Sequence, residues 1–400
     1  MPRYLALILI SGILHAQETV IGMSAAFEGP SRGVGIELWR GSATYFEHVN
    51  RSGGLFGRKI RIVAYNDNYD PTQALKNTST FVEKDNVFLL YGYMGTPTVT
   101  RVLPLLKIFQ EKSVYLFFPF TGAQPLRSPP YGAYVFHLRA SYQQETAGLV
   151  ANLLSIGKTR IGVFYQNDAY GRSGWEGVRK ALALRKLKIA ADAAYLRGSP
   201  LDTNFSSQVS IFQAAKVDAI ISVGAYAACA AFIRDARERG LHVPIANLSF
   251  VGSENMLDLL LAEGKRVGKD LTANLINSQV VPSYEDTSMP GVVEYRRLLD
   301  QYDPKPSFAK MDGMSIRYSF ASFEGFLNAK LLVEILRRVG PTMERARLVP
   351  AAGSISNFDL GIRARASFRP AAHQALDQVY YTTVEKGEFL TIRSWDKWKK

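Results

Sequence analysis

Short apolar runs alternate with amphipathic stretches along almost the whole of this 400-residue chain. Segments 19–23, 87–92 and 219–224 are short and apolar, as buried strands are, whereas 36–51 and 318–339 have the length and spacing of helices. Strands that alternate with helices form parallel sheets with helices on both faces. The chain is long enough for two such units. We therefore predict an α/β fold with two lobes.

Two helix starts are marked by residues that can cap them. Asp70 can accept hydrogen bonds from the first turn, Pro71 suits the first helical position, and Gln73 can complete a capping box. Ser141 and Gln144 repeat the capping-box pattern further along the chain. Helices are therefore predicted to begin at both places.

The N-terminus has the pattern of a secretory signal peptide. A short basic start is followed by an apolar run over 4–14 and then by Ala16, a small residue suited to a cleavage site. The run is shorter than the roughly 20 apolar residues that span a bilayer. Residues 1–17 are therefore predicted to direct an otherwise soluble protein to the periplasm. The alternative is a buried N-terminal strand.

The single cysteine, Cys229, cannot form a disulfide within the chain. It lies among alanines on a predicted helix, which indicates a small core residue rather than a reactive thiol. No cysteine follows the apolar N-terminal run, so that run offers no lipid-anchor site.

The formal net charge of +13 by itself points to a nucleic-acid partner. The basic residues are dispersed, however, and the densest groups, at 179–188 and 337–338, fall on the polar faces of predicted helices. Such faces are usually solvated. We therefore predict no nucleic-acid partner, and an anionic ligand stays open.

Few patterns of catalytic chemistry are present. The five histidines lack metal-ligand spacing, and a single cysteine excludes multi-thiolate sites. Residues 29–33 spell G-x-S-x-G, but a nucleophile elbow joins a strand directly to a helix, whereas Ser31 lies within a predicted loop. A glycine-rich ligand loop fits this segment better. We predict no catalysis, no cofactor and no metal; a secreted α/β enzyme is the alternative.

Four loops at predicted strand ends have the features of a binding site, namely 92–97, 118–122, 167–171 and 224–226. Backbone N–H groups at a strand-to-helix turn can hold a carboxylate. Aromatic side chains in such loops can form the walls around a small molecule. Local packing is the alternative for each aromatic residue. Since ligands of open α/β sheets bind beyond the carboxyl ends of the strands, we expect the ligand site there.

Several motifs, in this order and spacing, resemble one family. The stretch 50–60, Asn-Arg-Ser-Gly-Gly-Leu-Phe-Gly-Arg-Lys-Ile, is followed by Tyr-Asn-Asp at 65–67 and Asp-Pro at 70–71. Asp-Ala-Tyr-Gly at 168–171 and Gly-Ala-Tyr at 224–226 continue the pattern. On these motifs the chain resembles the type I periplasmic binding proteins of the branched-chain amino acid (Leu/Ile/Val) ABC transporter family.

The resemblance implies a division of the chain into two Rossmann-like lobes with parallel sheets. Lobe one would comprise residues 19–138 and 281–370, and lobe two residues 139–280 and 371–400. Three crossings of the chain would form a hinge, and a ligand would favour the closed arrangement of the lobes.

The family's binding positions fall on the loops described above. Thr96 matches a hydroxyl residue that holds the ligand carboxylate together with backbone amides, and Phe120 and Gly122 match positions whose backbone contacts the polar head. Tyr170 and Tyr226 match aromatic residues that close over the ligand, and we expect both to line an open cleft. The predicted ligand-binding residues are Gly95, Thr96, Phe120, Thr121, Gly122, Tyr170, Tyr226 and Phe250.

Phe250 departs from the pattern of the amino-acid-binding members. They carry an acidic residue at this position, which pairs with the ligand ammonium, and Glu254 could replace it only if the loop shifts. An unpaired ammonium in a closed cleft is costly. The resemblance and this departure together predict a carboxylate without an amine, or an amide, rather than an ordinary α-amino acid.

The function implied by the resemblance is that of a periplasmic substrate-binding protein for ABC-type import. It would capture a small polar or carboxylate-bearing molecule, amino-acid-like in size, in the cleft between the lobes. Its protein partner would be an inner-membrane ABC permease. A sensory protein that feeds a membrane kinase or chemoreceptor would use the same lobes, and this alternative stays open.

Overall fold

The computed structural model describes residues 18–309, 316–369 and 372–399. The predicted signal peptide, 1–17, lies outside the described residues. The strands are β1 (Glu18–Ala25), β2 (Lys59–Asn66), β3 (Leu89–Tyr91), β4 (Leu116–Phe117), β5 (Val135–Phe136), β6 (Ile161–Gln166), β7 (Ala191–Tyr195), β8 (Ala219–Val223), β9 (Ile245–Asn247), β10 (Leu275–Gln279), β11 (Phe358–Asp359), β12 (Arg365–Ala366), β13 (Tyr380–Glu385) and β14 (Glu388–Thr391).

Helices separate most of these strands. They are α1 (Arg32–Arg51), α2 (Pro71–Glu83), α3 (Thr96–Ile108), α4 (Tyr142–Ser155), α5 (Ala169–Ala183), α6 (Ser206–Ala214), α7 (Tyr226–Glu238), α8 (Ser253–Val267), α9 (Pro290–Tyr302), α10 (Phe320–Val339) and α11 (Leu348–Gly353). The predicted alternation of strands and helices is confirmed.

Sheet 1 has the strand order β2-β1-β3-β4-β5, and every pairing in it is parallel. Apolar residues face one another across its centre, where Ile21 of β1 lies opposite Ile62 on one side and Leu89 on the other. All of its strands come from residues 18–136.

Sheet 2 has the order β14-β13-β10-β9-β8-β6-β7. Its strands β6 to β10 pair in parallel, as predicted, whereas β13 runs antiparallel to β10 and β14 antiparallel to β13. Lys386 and Gly387 join the last two strands with positive φ angles of 52° and 78°. A two-residue hairpin turn has this conformation, which explains why β14 runs antiparallel to β13.

Local sequence signals account for several helix starts. Asp70 caps α2, its side chain accepting the N–H groups of Thr72 and Gln73, but Gln73 donates to Asn77 and completes no capping box. Ser141 and Gln144 form both halves of the predicted capping box at α4. Helix α5 begins at Ala169 because the Asp168 side chain accepts N–H groups of its first turn.

Helix α10 lies against α1, although the two are far apart in the sequence. The helices approach closely at two glycines: a Cβ atom at Gly41 would lie 1.7 Å from the Ser322 carbonyl oxygen, and one at Gly325 would lie 2.2 Å from the Leu38 carbonyl oxygen. The Ser42 hydroxyl donates to the Gly325 carbonyl at 3.1 Å. Helix α10, from the C-terminal third of the chain, therefore packs on the sheet 1 side of the molecule.

The molecule has two layers, sheet 1 and sheet 2, each with the helices that pack beside it. The chain passes between these two layers three times. It leaves sheet 1 after β5 for β6 of sheet 2, returns from β10 to α9 and α10 beside α1, and comes back to sheet 2 at β13. The chain segments of the first and third passages run side by side, and the His137 N–H donates to the His373 carbonyl at 2.7 Å. The lobe boundaries and the hinge remain predictions.

Cys229 is buried on α7 and is a free thiol, as expected of a core residue. Burial raises the pKa of its thiol to about 12, so the thiolate is disfavoured. Among the described residues, no helix combines the length and the apolar content that crossing a membrane requires.

Candidate ligand-binding site between the two sheets

The carboxyl ends of β3 and β4 bring four of the predicted site residues together. The Gly95 N–H donates to the Phe120 carbonyl at 3.2 Å, just before α3 begins at Thr96. The hydroxyl oxygens of Thr96 and Thr121 lie 2.7 Å apart. These polar groups, which were predicted to hold a ligand head, are therefore hydrogen-bonded to one another.

Five rings from both layers meet beside these threonines and form what we call the aromatic cluster: Tyr69, Phe120, Tyr142, Tyr170 and Phe250. The Phe250 ring centroid lies 4.6 Å from that of Tyr170, 5.7 Å from Phe120 and 5.9 Å from Tyr69. The Tyr142 and Tyr170 centroids lie 5.2 Å apart. Offset and tilted ring pairs at such distances are favourable, so the cluster binds the two layers to each other.

The aromatic cluster is almost fully buried. Tyr170 and Phe250 have no accessible surface, and Phe120 and Tyr69 keep 2% and 4%. The expectation that Tyr170 lines an open cleft is therefore wrong in this arrangement, because Phe250 covers its ring. The Tyr170 hydroxyl has no hydrogen-bond partner within the described part of the chain, and burial raises its pKa well above the ordinary value.

Polar residues that the motif analysis missed lie at one side of the aromatic cluster. Gln166 donates to the Tyr69 hydroxyl at 3.3 Å and to the Asp168 carboxylate at 2.6 Å. The Arg197 guanidinium lies 5.7 Å from the Tyr69 ring centroid and 3.6 Å from the Asp168 carboxylate. Burial raises the pKa of Asp168, although Gln166, the Tyr170 N–H and Arg197 each lower it. The sequence could have indicated both residues, because Tyr69 closely follows β2 and Gln166 ends β6.

A buried charge network adjoins the other side of the aromatic cluster. The Arg139 guanidinium stacks 4.5 Å from the Phe120 ring centroid and donates to the Ser249 hydroxyl. It lies 3.8 Å from Glu145 and 3.7 Å from Glu324. Glu145 also accepts the Ser249 N–H at 2.9 Å. The network joins α4 and Ser249 beside sheet 2 to α10 beside sheet 1, so it couples both layers.

Burial dominates the electrostatics of this network. It raises the pKa of Glu324 to about 7, although Arg139 lowers it. The pKa of Arg139 is raised: its burial acts to lower the pKa, and Glu324, Tyr142 and Glu145 together outweigh that effect. A buried ion pair of this kind contributes little net stability, but the loss of one partner leaves an uncompensated charge.

Tyr226 lies apart from the aromatic cluster and lines a cavity of about 420 Å³ between the two layers. We call it the Arg32 cavity; its wall includes Gly29, Arg32, Leu201, Tyr226, Asn255 and Asp258. The Tyr226 hydroxyl accepts the N–H of Gly33 at 3.2 Å across the layers. Residues Gly29, Pro30 and Arg32 of the predicted glycine-rich ligand loop therefore face a cavity.

Glu254 does not reach the aromatic cluster. Its carboxylate accepts the Phe320 N–H at 3.0 Å, and it contacts the Tyr284 hydroxyl. Burial raises its pKa to about 8. It therefore does not replace the acidic side chain that Phe250 lacks.

Ser31 is the N-cap residue of α1, and β1 ends at Ala25. The serine thus follows a loop and does not form a sharp strand-to-helix turn of the kind that a nucleophile elbow requires. The structure, as far as it is described, contains no group of three or more His, Cys, Asp or Glu side chains placed to hold a metal ion.

Comparison with curated proteins finds distant relatives whose names describe them as amino-acid-binding proteins. The amino acid binding protein of Pseudomonas aeruginosa is 24% identical over 226 residues, 56% of this chain and 58% of that protein. The Leu/Ile/Val-binding protein of Escherichia coli K12 is 22% identical over 253 residues, 63% of this chain and 65% of that protein. The chain thus matches about three fifths of the length of these relatives.

Solved structures match over nearly the whole chain. A possible leucine/isoleucine/valine-binding protein from Rhodopirellula baltica is 27% identical, with a TM-score of 0.85 over 98% of this chain and 100% of that chain. A branched-chain amino acid ABC transporter protein from Thermus thermophilus, with bound valine, has a TM-score of 0.81 over 94% of this chain and 95% of that chain, at 18% identity. The α/β fold of type I periplasmic binding proteins is therefore confirmed.

A family model described as a periplasmic binding protein matches residues 18–388, which include both sheets, the aromatic cluster and the Arg32 cavity. The predicted resemblance is thereby confirmed, and the chain belongs to the periplasmic binding protein family.

Proposed function

We propose that this protein binds a small carboxylate-bearing molecule between its two lobes, in the periplasm, and delivers it to an inner-membrane ABC permease without changing it chemically. The observation that carries the proposal is the contact between the layers. Polar groups of the sheet 1 side and the sheet 2 side meet directly, as the Gly33 N–H and the Tyr226 hydroxyl do, beside a cavity of about 420 Å³. Clefts of this size and position hold small molecules.

The names of the relatives support the transport role. Two curated relatives are named for binding amino acids, and one structural neighbour is named as a branched-chain amino acid ABC transporter protein. Another neighbour, from Thermomonospora curvata, is named as a fatty acid ABC transporter substrate-binding protein; it is 20% identical, with a TM-score of 0.77 over 94% of this chain and 91% of that chain. Proteins with this fold are therefore named both for ligands that have an amine and for ligands that lack one.

The residues around the aromatic cluster favour a ligand without an amine. Phe250 stands where an acidic partner for an ammonium was expected. The carboxylate of Asp168 already accepts hydrogen bonds from Gln166 and from two backbone N–H groups of α5. Glu254 is engaged elsewhere. An ammonium buried at the cluster would therefore lack a carboxylate partner, which costs free energy, whereas an ammonium in the Arg32 cavity would have Asp258 nearby.

A thermal-shift comparison of three matched ligands tests the proposal. The protein from Glu18 onward would be mixed with leucine, with 4-methylpentanoate, which lacks the amine, and with 4-methylpentanamide, which lacks the charge. A ligand at a hundredfold excess over its Kd stabilises the folded state by about 2.7 kcal/mol. We expect stabilisation by 4-methylpentanoate to exceed that by leucine.

The outcomes separate the parts of the proposal. Stabilisation by leucine alone would refute the ligand class and leave the binding role intact. Chemical turnover of a stabilising ligand by the purified protein would refute the binding role and support a secreted enzyme. No stabilisation by these ligands or by a wider panel of carboxylates, amides and amino acids would contradict the proposal as a whole.

A further inference from the structure

Part of the basic group 179–188 lies in a loop at one end of sheet 2. Helix α5 ends at Ala183. Arg185, Lys186 and Lys188 therefore lie on the connection from α5 to β7, and not on the polar face of a helix. All three side chains are exposed. Their surroundings in the fold decide whether they are simply solvated or form part of a larger surface.

Two further loops lie beside this one, because β7, β6 and β8 are neighbouring parallel strands. The Ala190 N–H donates to the Ile161 carbonyl at 2.9 Å, and the Asp218 N–H donates to the Arg160 carbonyl at 3.0 Å. Neighbouring strands lie about 4.8 Å apart, so the loops before them form one surface at the amino ends of the strands. We call this surface the basic edge; its cations are Lys158, Arg160, Arg185, Lys186, Lys188 and Lys216.

The cations of the basic edge lack acidic partners. In the part of the chain that the structure describes, none of them forms an ion pair with a carboxylate, whereas Arg179 of α5 pairs with Glu176 at 2.6 Å. The connections from α4 to β6, from α5 to β7 and from α6 to β8 contain one acidic residue, Asp218, and its carboxylate accepts two backbone N–H groups of the loop before β6. The basic edge therefore carries a surplus of positive charge that the molecule itself does not neutralise.

An apolar side chain lies within the basic edge. Leu184 is 85% exposed, the largest fraction among the large hydrophobic side chains of the described residues. Leu187 and Ile189, which lie on either side of Lys188 in the sequence, are half-buried and pack against the core of the molecule. The loop is therefore held against the core while Leu184 stays in contact with solvent.

Unpaired cations around an exposed leucine fit the surface of an anionic lipid membrane. The negative headgroups attract Lys and Arg side chains, and the acyl boundary below the headgroups accepts an apolar side chain. A soluble acidic polymer would attract the cations but offers no apolar layer for Leu184. The charge and the leucine together therefore favour a membrane as the partner.

The basic edge lies at the opposite end of sheet 2 from the cavity in which we propose that a ligand binds. Lys216 precedes the amino end of β8, whereas Tyr226 follows its carboxyl end and lines the Arg32 cavity. The five residues of β8 between them span about 16 Å. A surface that contacts the basic edge therefore leaves the cavity free.

We propose that the basic edge attaches this protein to the surface of a membrane that contains anionic lipid, with Leu184 entering the boundary between headgroups and acyl chains. The attachment goes beyond the proposed binding function and holds for any ligand. It concentrates the protein at the membrane while the cavity stays accessible.

Sedimentation with lipid vesicles tests the attachment. The protein from Glu18 onward, which lacks the apolar N-terminal run, would be mixed with vesicles of phosphatidylcholine alone and with vesicles of equal parts of phosphatidylcholine and phosphatidylglycerol. We expect binding to the anionic vesicles only. High salt should release the protein, because salt screens the attraction between surface charges.

A triple variant, Arg185→Gln with Lys186→Gln and Lys188→Gln, locates the contact. Each cation near an anionic surface contributes about fivefold in affinity, so we expect the triple variant to bind about a hundredfold more weakly. The matched control removes three exposed cations from helices beside sheet 1 and should bind within about twofold of the unaltered chain. Its substitutions are Lys76→Gln, Lys84→Gln and Lys107→Gln.

Leu184→Ser tests the apolar part of the contact. We expect it to bind anionic vesicles about fivefold more weakly, since it loses the burial of the leucine in the membrane boundary. Leu196→Ser is the control, because this side chain is 74% exposed but follows the carboxyl end of β7, and it should bind as the unaltered chain does. Melting temperatures show that every variant is folded.

Equal binding to both kinds of vesicle, or equal losses in the triple variant and its control, would overturn the basic edge as the contact. Unchanged vesicle binding in Leu184→Ser, together with equally tight binding of soluble polyaspartate, would overturn the membrane as the partner. No binding to anionic vesicles at low salt would overturn the attachment as a whole, and ligand stabilisation in the thermal-shift comparison would be unaffected by that result.

Discussion

The aromatic cluster and the Arg32 cavity lie at the same junction of the two layers, but the cluster is packed and apolar whereas the cavity is open and has polar walls. In the aromatic cluster, rings from both layers pack without accessible surface, and neighbouring polar groups bond to one another. In the Arg32 cavity, two charged side chains, an amide and a phenolic side chain face space of about 420 Å³. The contrast indicates that one side of the junction stabilises the contact between the layers, while the other is the side where we propose that a ligand binds.

Removing the central ring of the aromatic cluster should have the largest effect. Phe250→Ala leaves a void among Tyr69, Phe120 and Tyr170, and truncation of a buried Phe costs about 3–5 kcal/mol. Urea unfolding measures the loss. The matched control is Phe56→Ala, whose ring is 46% exposed and whose loss should change stability by less than about 0.5 kcal/mol. Equal stability of the two variants would show that Phe250 is not packed.

Titration of Glu254, which directly precedes Asn255 of the Arg32 cavity, should make stability depend on pH. Its folded pKa of about 8 lies above the ordinary value of 4.5, so the folded state holds the proton more tightly. The free energy of unfolding should therefore fall as pH rises from about 5 to 8, by up to about 1.4 kcal/mol per pH unit from this group. Glu254→Gln should flatten that fall.

Urea unfolding at pH 5, 6, 7 and 8 checks the slope. Glu176→Gln is the control, because Glu176 is paired with Arg179 near the surface and its pKa is lowered, so it stays ionised throughout this range. An unchanged slope in Glu254→Gln would contradict the buried, protonated carboxyl.

The smallest effect is expected from Tyr226→Phe, which removes only the hydroxyl that accepts the Gly33 N–H. One hydrogen bond contributes about 0.5–1.5 kcal/mol. The loss of unfolding free energy should lie in that range, well below that of Phe250→Ala. A loss as large as that of Phe250→Ala would erase the proposed difference between the two sides of the junction.

The fold was predictable because its signals are local. The alternation of strands and helices follows from apolar spacing, and Asp70 and Ser141 mark helix starts by their own hydrogen bonds. The convergence of 92–97 and 118–122 was also predictable, since the carboxyl ends of neighbouring parallel strands meet at one edge.

The rest of the site depends on how distant segments pack. Glu145 and Ser249, which bond in the buried charge network, are 104 residues apart, and Tyr69 and Gln166 are 97 apart. No spacing rule connects such positions. The burial of Tyr170 likewise depends on Phe250, whose effect as a missing acid could be inferred from the sequence but whose ring packing could not.

Because the chain passes between the layers three times, each layer is built from segments that lie far apart in the sequence, and this affects when the molecule can fold. Sheet 2 begins with β6 at residue 161 but takes its edge from β13 and β14, and α1 packs on a helix whose Gly325 lies 283 residues beyond Ser42. Contacts this distant form slowly, because the intervening loop must close first. During synthesis sheet 1 lacks the cover of α10, and sheet 2 lacks its last two strands, until the C-terminal part of the chain has left the ribosome. Until then the growing chain exposes unpaired strand edges and apolar faces, which make it prone to aggregation.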